Sequence, residues 1–188
     1  MSEKHSQLDP AALTETRLSG EEIFEGKILH VQRDVIRLPN GAESFREVIR
    51  HVGAVCVVPL TADGGVVVER QFRYPVNEII TEIPAGKLDS PAEDPLAAAQ
   101  RELREETGAE AARWTCLGQF YPAAAYSDER IWMYLAEGLQ FGEQHLDADE
   151  FLGVEVVPLE ELVQDILAGR IPDAKTQAAI LRVWAMKR

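Results

Sequence analysis

Short apolar runs punctuated by Gly, Pro, Asn and Asp fill most of this chain, a pattern of strands and tight turns broken by one clear helical period. Val31 to Leu38 and Ser44 to His51 flank Pro39-Asn40-Gly41, a hairpin signal, and Ala54 to Leu60 and Val66 to Arg70 flank Asp63-Gly64-Gly65 in the same way. Asn77 to Ile83, Trp114 to Phe120, Arg130 to Ala136 and Gly153 to Val157 read as further strands. Leu159 to Leu167 and Asp173 to Met186 read as two closing helices, the second opening at Pro172-Asp173-Ala174-Lys175. The order predicts an α/β chain, an α+β mixed sheet flanked by helices.

The helical period falls between Asp94 and Thr107. Asp94-Pro95 supplies an N-cap and a proline at the first helical position, Leu96, Ala99 and Leu103 make an apolar face, and Gly108 marks the stop. Ser90-Pro91-Ala92-Glu93 imitates a capping box one turn earlier. A start there would put Pro95 where a backbone N–H is needed for the helical ladder, so Gly86 to Glu93 reads as a loop.

That helix closes on Glu102, Glu105 and Glu106. A helix C-terminus already carries partial negative charge, and acids three and four residues apart share one face, so each repels the dipole and its neighbours. Arg101 and Arg104 offset part of this. Oxygen ligands converging from one helix face suit a hard cation such as Mg²⁺, with Mn²⁺ as a substitute, which shares its shell with waters and substrate phosphates. Interspersed Glu and Arg also describe a plain solvated face laced with i,i+4 pairs, of which Arg101 to Glu105 is one.

Register favours the cation. The residues from Glu93 through the seven-residue spacer to Arg101-Glu102-Leu103-Arg104-Glu105-Glu106-Thr107-Gly108-Ala109 resemble the signature of the Nudix hydrolases, in which a Gly precedes the first Glu by five residues. Here six residues, Lys87 to Ala92, separate Gly86 from Glu93. Arg46-Glu47, His51-Val52-Gly53-Ala54-Val55, Arg70-Gln71-Phe72-Arg73, Glu82-Ile83-Pro84-Ala85-Gly86, Asp149-Glu150-Phe151 and Asp173-Ala174-Lys175-Thr176 are similar to the ADP-ribose pyrophosphatase branch. The resemblance implies a Nudix-like α/β/α sandwich with an N-terminal antiparallel strand extension, exchanged in a homodimer whose subunits both line the substrate site. It divides the chain into a flexible tail at 1–20, a dimerising β extension at 21–52 and a hydrolase domain at 53–188.

Composition agrees with a soluble enzyme: 188 residues with 46% hydrophobic content can bury one sizeable core. Met1 to Gly20 lacks a signal-peptide apolar stretch and no run reaches membrane-spanning length, which predicts a cytoplasmic protein with no membrane partner. A net charge of −13 argues against nucleic acid and anionic lipid. It also opposes a phosphate substrate, so cations must act locally. Cys56 and Cys116 are too few for a disulfide framework, and His5, His30, His51 and His145 lack metal-ligand spacing. Trp114, Trp132 and Trp184 read as core.

The resemblance implies hydrolysis of a nucleoside diphosphate sugar, ADP-ribose to AMP and ribose 5-phosphate. Glu102, Glu105 and Glu106 would hold the metal together with the Ala85 carbonyl, the last implied by resemblance alone. Arg101 would orient the glutamates. Glu150, with Asp149 adjacent, is the candidate general base, although a surface loop of acids would look the same. Arg73 and Lys87 are candidate substrate contacts, since a guanidinium grips phosphate in bidentate fashion. Arg46, Glu47 and Glu129 resemble positions that reach substrate across the dimer. Ala124-Ala125 stands where many relatives carry Pro-Gly in a substrate loop, so another nucleotide sugar such as a GDP-mannose-like compound stays open. A Nudix domain that senses nucleotide without cleaving it is a further alternative.

Overall fold

The computed structural model describes residues 9–146 and 150–188. The chain divides into two units, Met1–His51 with Ala123–Glu129, and Val52–Pro122 with Arg130–Arg188.

In the first unit, a short 3₁₀ turn at Pro10–Ala12 precedes an antiparallel sheet of β1 (Thr16–Glu25), β2 (His30–Arg37) and β3 (Glu43–Arg50), in that spatial order. The β2–β3 turn is the Pro39-Asn40-Gly41 hairpin, with Gly41 at φ 85° and the Asn40 side chain accepting from the Ala42 N–H at 3.0 Å. The expectation of a tail through residue 20 is corrected here, because β1 starts at Thr16. All ten β1 residues are exposed, so no alternation of apolar and polar positions betrays the strand. Met1 to Leu8 lie outside the described residues.

The second unit is a mixed sheet between helices. Its strands are β4 (Ala54–Leu60), β5 (Gly65–Arg73), β6 (Glu78–Glu82), β7 (Ala85–Lys87), β8 (Ala109–Phe120), β9 (Ile131–Phe141) and β10 (Leu152–Pro158), with helices α1 (Pro95–Thr107), α2 (Leu159–Leu167) and α3 (Ala174–Met186). The path runs β10-β5-β4-β9-β8, with β6 added to β5 and β7 to β4. Strands β4 and β9 run parallel, and the other strand pairs of this sheet among the described residues are antiparallel.

Strand β4 explains the two-sided core. All seven of its residues are buried. Ala54, Cys56, Val58 and Leu60 face a cluster with Leu162, Val163 and Ile166 of α2 and Ala179, Ile180 and Val183 of α3. Val55 and Val57 face the opposite cluster with Ala98, Ala99 and Leu103 of α1. A period-two strand with both faces apolar must be covered on both sides, and the α/β/α sandwich follows. Burial pushes the Cys56 thiol up to about 12, which leaves it an inert core residue.

Helix α1 has the predicted boundaries. The Asp94 side chain accepts from Leu96 N and Ala97 N at 2.8 and 3.0 Å, Pro95 follows at the first helical position, and Gly108 ends the helix at φ 69°. A Cβ on Gly108 would lie 2.5 Å from the Gly142 carbonyl oxygen, so the glycine meets both a conformational and a steric demand. Leu103 anchors the helix, fully buried between α1 and the sheet. Leu103→Ala should cost about 2–5 kcal/mol in urea denaturation, against less than about 1.5 kcal/mol for the volume-conserving Leu103→Met. Equal loss in both would show that the contact is not a matter of filled volume.

Candidate active site

The last turn of α1 faces the short strand β7, and a cleft of about 350 Å³ opens between them, lined by Ala85, Gly86, Lys87, Leu88, Asp89, Arg101, Glu102, Glu105, His145 and Glu150. Two contacts set its floor. The Ala85 N–H donates to Glu106 Oε2 at 2.9 Å, and Gly86 lies so close to Glu102 that a Cβ there would fall 2.1 Å from its carboxyl carbon. With six residues between Gly86 and Glu93, Gly86 is still pinned opposite Val55 in the β4–β7 ladder and lies against Glu102.

Arg101 organises the acids. Its Nη1 donates to Glu102 Oε1 at 2.7 Å and to Glu105 Oε2 at 3.2 Å, its Nε approaches Glu93 Oε1 at 3.4 Å, and its Nη2 donates to the Lys87 carbonyl at 3.2 Å. Glu93 in turn accepts from the Asp89 N–H at 2.6 Å, which closes the signature loop. The helix carbonyls of Glu105 and Gly108 accept from the N–H groups of His145 and Gly142 at 2.9 and 2.7 Å, and the Glu106 carbonyl from the Gln144 side chain. The segment after β9 thus satisfies the orphan carbonyls at the helix end and brings His145 to the cleft.

The charge that remains is costly. Glu106 is 6% exposed and Glu69, on β5, 3%. Their side chains are in hydrogen-bond contact, and burial first, then mutual repulsion, pushes Glu106 far above the ordinary carboxylate range, with Glu102 adding to it. Burial and then Glu82 push Glu69 up. Glu102 is also raised, by burial, with Arg101 opposing and Glu105 and Glu150 adding repulsion. Among the described residues no three His, Cys, Asp or Glu side chains already converge as a metal cage. The donor set fits a hard divalent cation: carboxylate oxygens, a glycine that leaves room for one of them, and too little positive charge to neutralise them.

A second ionic group lies behind the first. Glu82, buried at the end of β6, accepts from Arg73 Nε and Nη2, both at 2.7 Å, and from Lys175 Nζ. Burial alone would raise Glu82, but Arg73 and Lys175 more than reverse it, and its carboxyl sits below the usual range. Lys175 also pairs with Asp173 Oδ1 at 3.1 Å. Asp173 caps α3 through Thr176 N at 2.9 Å, and Thr176 Oγ1 accepts from the Ile83 N–H at 3.0 Å. The Asp173-Ala174-Lys175-Thr176 sequence therefore fastens α3 to the β6 end.

Of the residues singled out from sequence, Ala85, Lys87, Arg101, Glu102, Glu105 and Glu150 line the cleft and Glu106 backs it. Arg73 has its fork occupied by Glu82. Asp149 lies outside the described residues. Arg46, Glu47 and Glu129 belong to the first unit, where Arg46 Nε donates to Glu15 Oε2 at 3.1 Å, Glu47 accepts from Arg33 at 2.9 Å and Glu129 approaches His51 at 3.9 Å. Glu82 and Lys175 stand in motifs that carry the resemblance but received no role from sequence, and Glu69 and the cleft position of His145 were missed. The available signal was an acid inside each of two apolar strands, at Val66-Val67-Val68-Glu69 and Ile79-Ile80-Thr81-Glu82.

Residues 50–180 match the model of the NUDIX domain, and residues 15–49 match that of the nucleoside diphosphate sugar hydrolase N-terminal domain. The chain is 40% identical to the ADP-ribose pyrophosphatase of Bacillus subtilis (strain 168), over 90% of this chain and 92% of the relative. It is 42% identical to the methanol dehydrogenase activator of Bacillus methanolicus, covering 88% and 90%. It is 36% identical to the ADP-ribose pyrophosphatase of Mycobacterium tuberculosis (strain ATCC 25618 / H37Rv), covering 90% and 83%. A solved structure described as an ADP compounds hydrolase superposes with a TM-score of 0.82 at 25% identity, covering 93% of this chain and 95% of that one.

Two outcomes follow from the charge balance. The raised carboxyls bind protons more tightly folded than unfolded, so their contribution to stability is complete below the ordinary carboxylate pKa and is lost as pH rises. In EDTA the Tm should therefore fall as pH climbs above about 5, and saturating Mg²⁺ should flatten that fall. A metal-free Tm that rises through the same window would contradict the electrostatics. Gly86→Ala should push Glu102 out of place and shrink the Mg²⁺-linked rise in Tm, while the Tm in EDTA stays near that of the wild type.

Proposed function

Since the chain belongs to the Nudix family, we propose that it hydrolyses the pyrophosphate bond of a nucleoside diphosphate sugar, ADP-ribose above all, in a Mg²⁺-dependent reaction. The observation that carries this reading is the acidic turn of α1 held against Ala85 and Gly86 in one cleft with Lys87 and Glu150. The chain's similarity to the ADP-ribose pyrophosphatases of Bacillus subtilis and Mycobacterium tuberculosis supports ADP-ribose as the substrate. Nudix hydrolases generally use a divalent metal, and the donor oxygens of this cleft suit Mg²⁺.

Water adds its oxygen to one phosphorus of the pyrophosphate, and the bond from that phosphorus to the bridging oxygen breaks. The products are AMP and ribose 5-phosphate, and the proton lost by water goes to a carboxylate. Glu150 is the base in this reading: it lines the cleft and its charge is felt at both Glu102 and Glu106. Glu102, Glu105, Glu106 and the Ala85 carbonyl would hold the cation. When bound, Mg²⁺ neutralises charge on the phosphate oxygens and makes water more acidic. Arg101 positions Glu102 and Glu105 and does not touch substrate. Lys87, which lines the cleft, is placed to meet a phosphate, and Arg73, oriented by its two hydrogen bonds to Glu82, is the second phosphate contact in this reading.

The same reading makes the chain a homodimer in which Arg46, Glu47 and Glu129 contact substrate bound mainly by the other subunit. The exposed Leu18, Ile23, Phe24 and Phe45 of the three-stranded sheet support an apolar contact with a second copy.

Product analysis with ADP-ribose, ADP-glucose and GDP-mannose, each with Mg²⁺ and with EDTA, tests the assignment. The expected result is metal-dependent AMP release that favours ADP-ribose. Glu106→Gln should lower kcat by about 10²–10³-fold or more, the scale of losing one preorganised electrostatic element. Glu150→Gln should lower kcat by about 10²–10⁴-fold with cation affinity retained. Near-normal turnover in Glu150→Gln would move the base elsewhere, and preference for GDP-mannose would change the substrate while leaving the metal site intact.

A further inference from the structure

Glu69 has no part in the signature helix, yet it is the acid most exposed to the consequences of the cluster. It stands on β5 directly opposite Glu82 in the β5–β6 register, and its carboxyl contacts Glu106. It is 3% exposed, and among the described residues its Oε1 is buried without a hydrogen-bond partner. The cations that bear on it, Arg73 and Lys175, are both bound to Glu82. Val66, Val67 and Val68 precede it, all fully buried, so an apolar residue would satisfy packing at this point of the strand. A buried carboxylate oxygen without a hydrogen-bond partner is destabilising, and a divalent cation is a group that would satisfy it.

We propose that Glu69 gives its Oε1 to the divalent cation held by Glu106, as a ligand from the sheet that complements those from α1. The proposal rests on the cation site described above and extends it from one helix to two elements of the fold. Carboxylates on both α1 and β5 would fix the cation more rigidly than one flexible helix turn can, which suits an ion with strict geometric demands. Glu82 then has a defined part as well. By holding Arg73 and Lys175, it keeps both cations from pairing with Glu69.

Calorimetric titration of Mn²⁺ into the metal-stripped full chain, for wild type, Glu69→Gln and Glu106→Gln, tests this, with the Tm in EDTA measured alongside. Glu69→Gln should weaken Mn²⁺ binding on the order of ten-fold or more. Its Tm in EDTA should equal or exceed that of the wild type, because a buried repulsion has been removed. A purely structural Glu69, sharing a proton with Glu106, would give the reverse: lower metal-free Tm with Mn²⁺ affinity within roughly two-fold of the wild type, and that result overturns the proposal. If Glu69→Gln does not fold, Glu69→Asp, shorter by one methylene, should show the same weakening, and unchanged affinity there also overturns it. Wild-type protein that binds no Mn²⁺ would instead remove the cation site itself, whereas loss in Glu106→Gln alone removes only the role of Glu69.

Discussion

Glu106 carries a carboxylate into a buried corner where Glu69 already places another, and the larger unit is arranged so that both stay there. Burying an unpaired carboxylate costs several kcal/mol, and two in contact cost more. Against this, among the described residues, stand the Ala85 N–H, which donates to Glu106 at 2.9 Å, and the seating of α1. That seating has separable parts: the Asp94 cap and Pro95 set where the helix begins, Leu103 locks its face to the sheet, and Gly108 turns the chain away at the end. Residues 142–145 then close over the exposed carbonyls. The Glu69 and Glu106 carboxyls are both pushed up, so the metal-free corner holds protons that a divalent cation would displace.

The ionic group at Glu82 works by the opposite logic. There every charge is answered: Glu82 by Arg73 and Lys175, Lys175 also by Asp173, and the Ile83 N–H by Thr176. It ties α3 to the end of β6, one residue before the Pro84-Ala85 step that enters the cleft. The neutralised group thereby braces the backbone that supplies the Ala85 contact, and it sits next to the group left unneutralised. In the proposed reaction Arg73 belongs to both, since a guanidinium already oriented by a buried carboxylate loses little freedom on meeting phosphate.

Much of this could be read from the chain because local signals agreed with tertiary demands. Ala54 to Leu60 has the predicted bounds since a seven-residue apolar run between turns has few alternatives to a buried strand. Helix α1 was legible from cap, proline and glycine together. Strand β1 was not, because its exposed, mostly polar residues carry no period, and strand formation there depends on pairing with β2, a non-local fact. Strand β7 is three residues long and takes its place from β4 rather than from its own sequence. The acids of α1 were visible as a cluster since helical spacing brings them together. Glu69, Glu82 and Lys175 lie far apart in sequence, and only the β5–β6 register and the docking of α3 reveal that they share a neighbourhood.

The central claim is that the acidic turn of α1 is a cation site closed by Ala85, and it can be observed directly. A crystal of the full chain grown with Mn²⁺ and measured at the manganese absorption edge should show an anomalous peak within coordination distance of Glu106 and Glu102 and the Ala85 carbonyl. Clear electron density for the same carboxylates with no peak between them, in a crystal of protein that hydrolyses its substrate with Mn²⁺, would contradict the account.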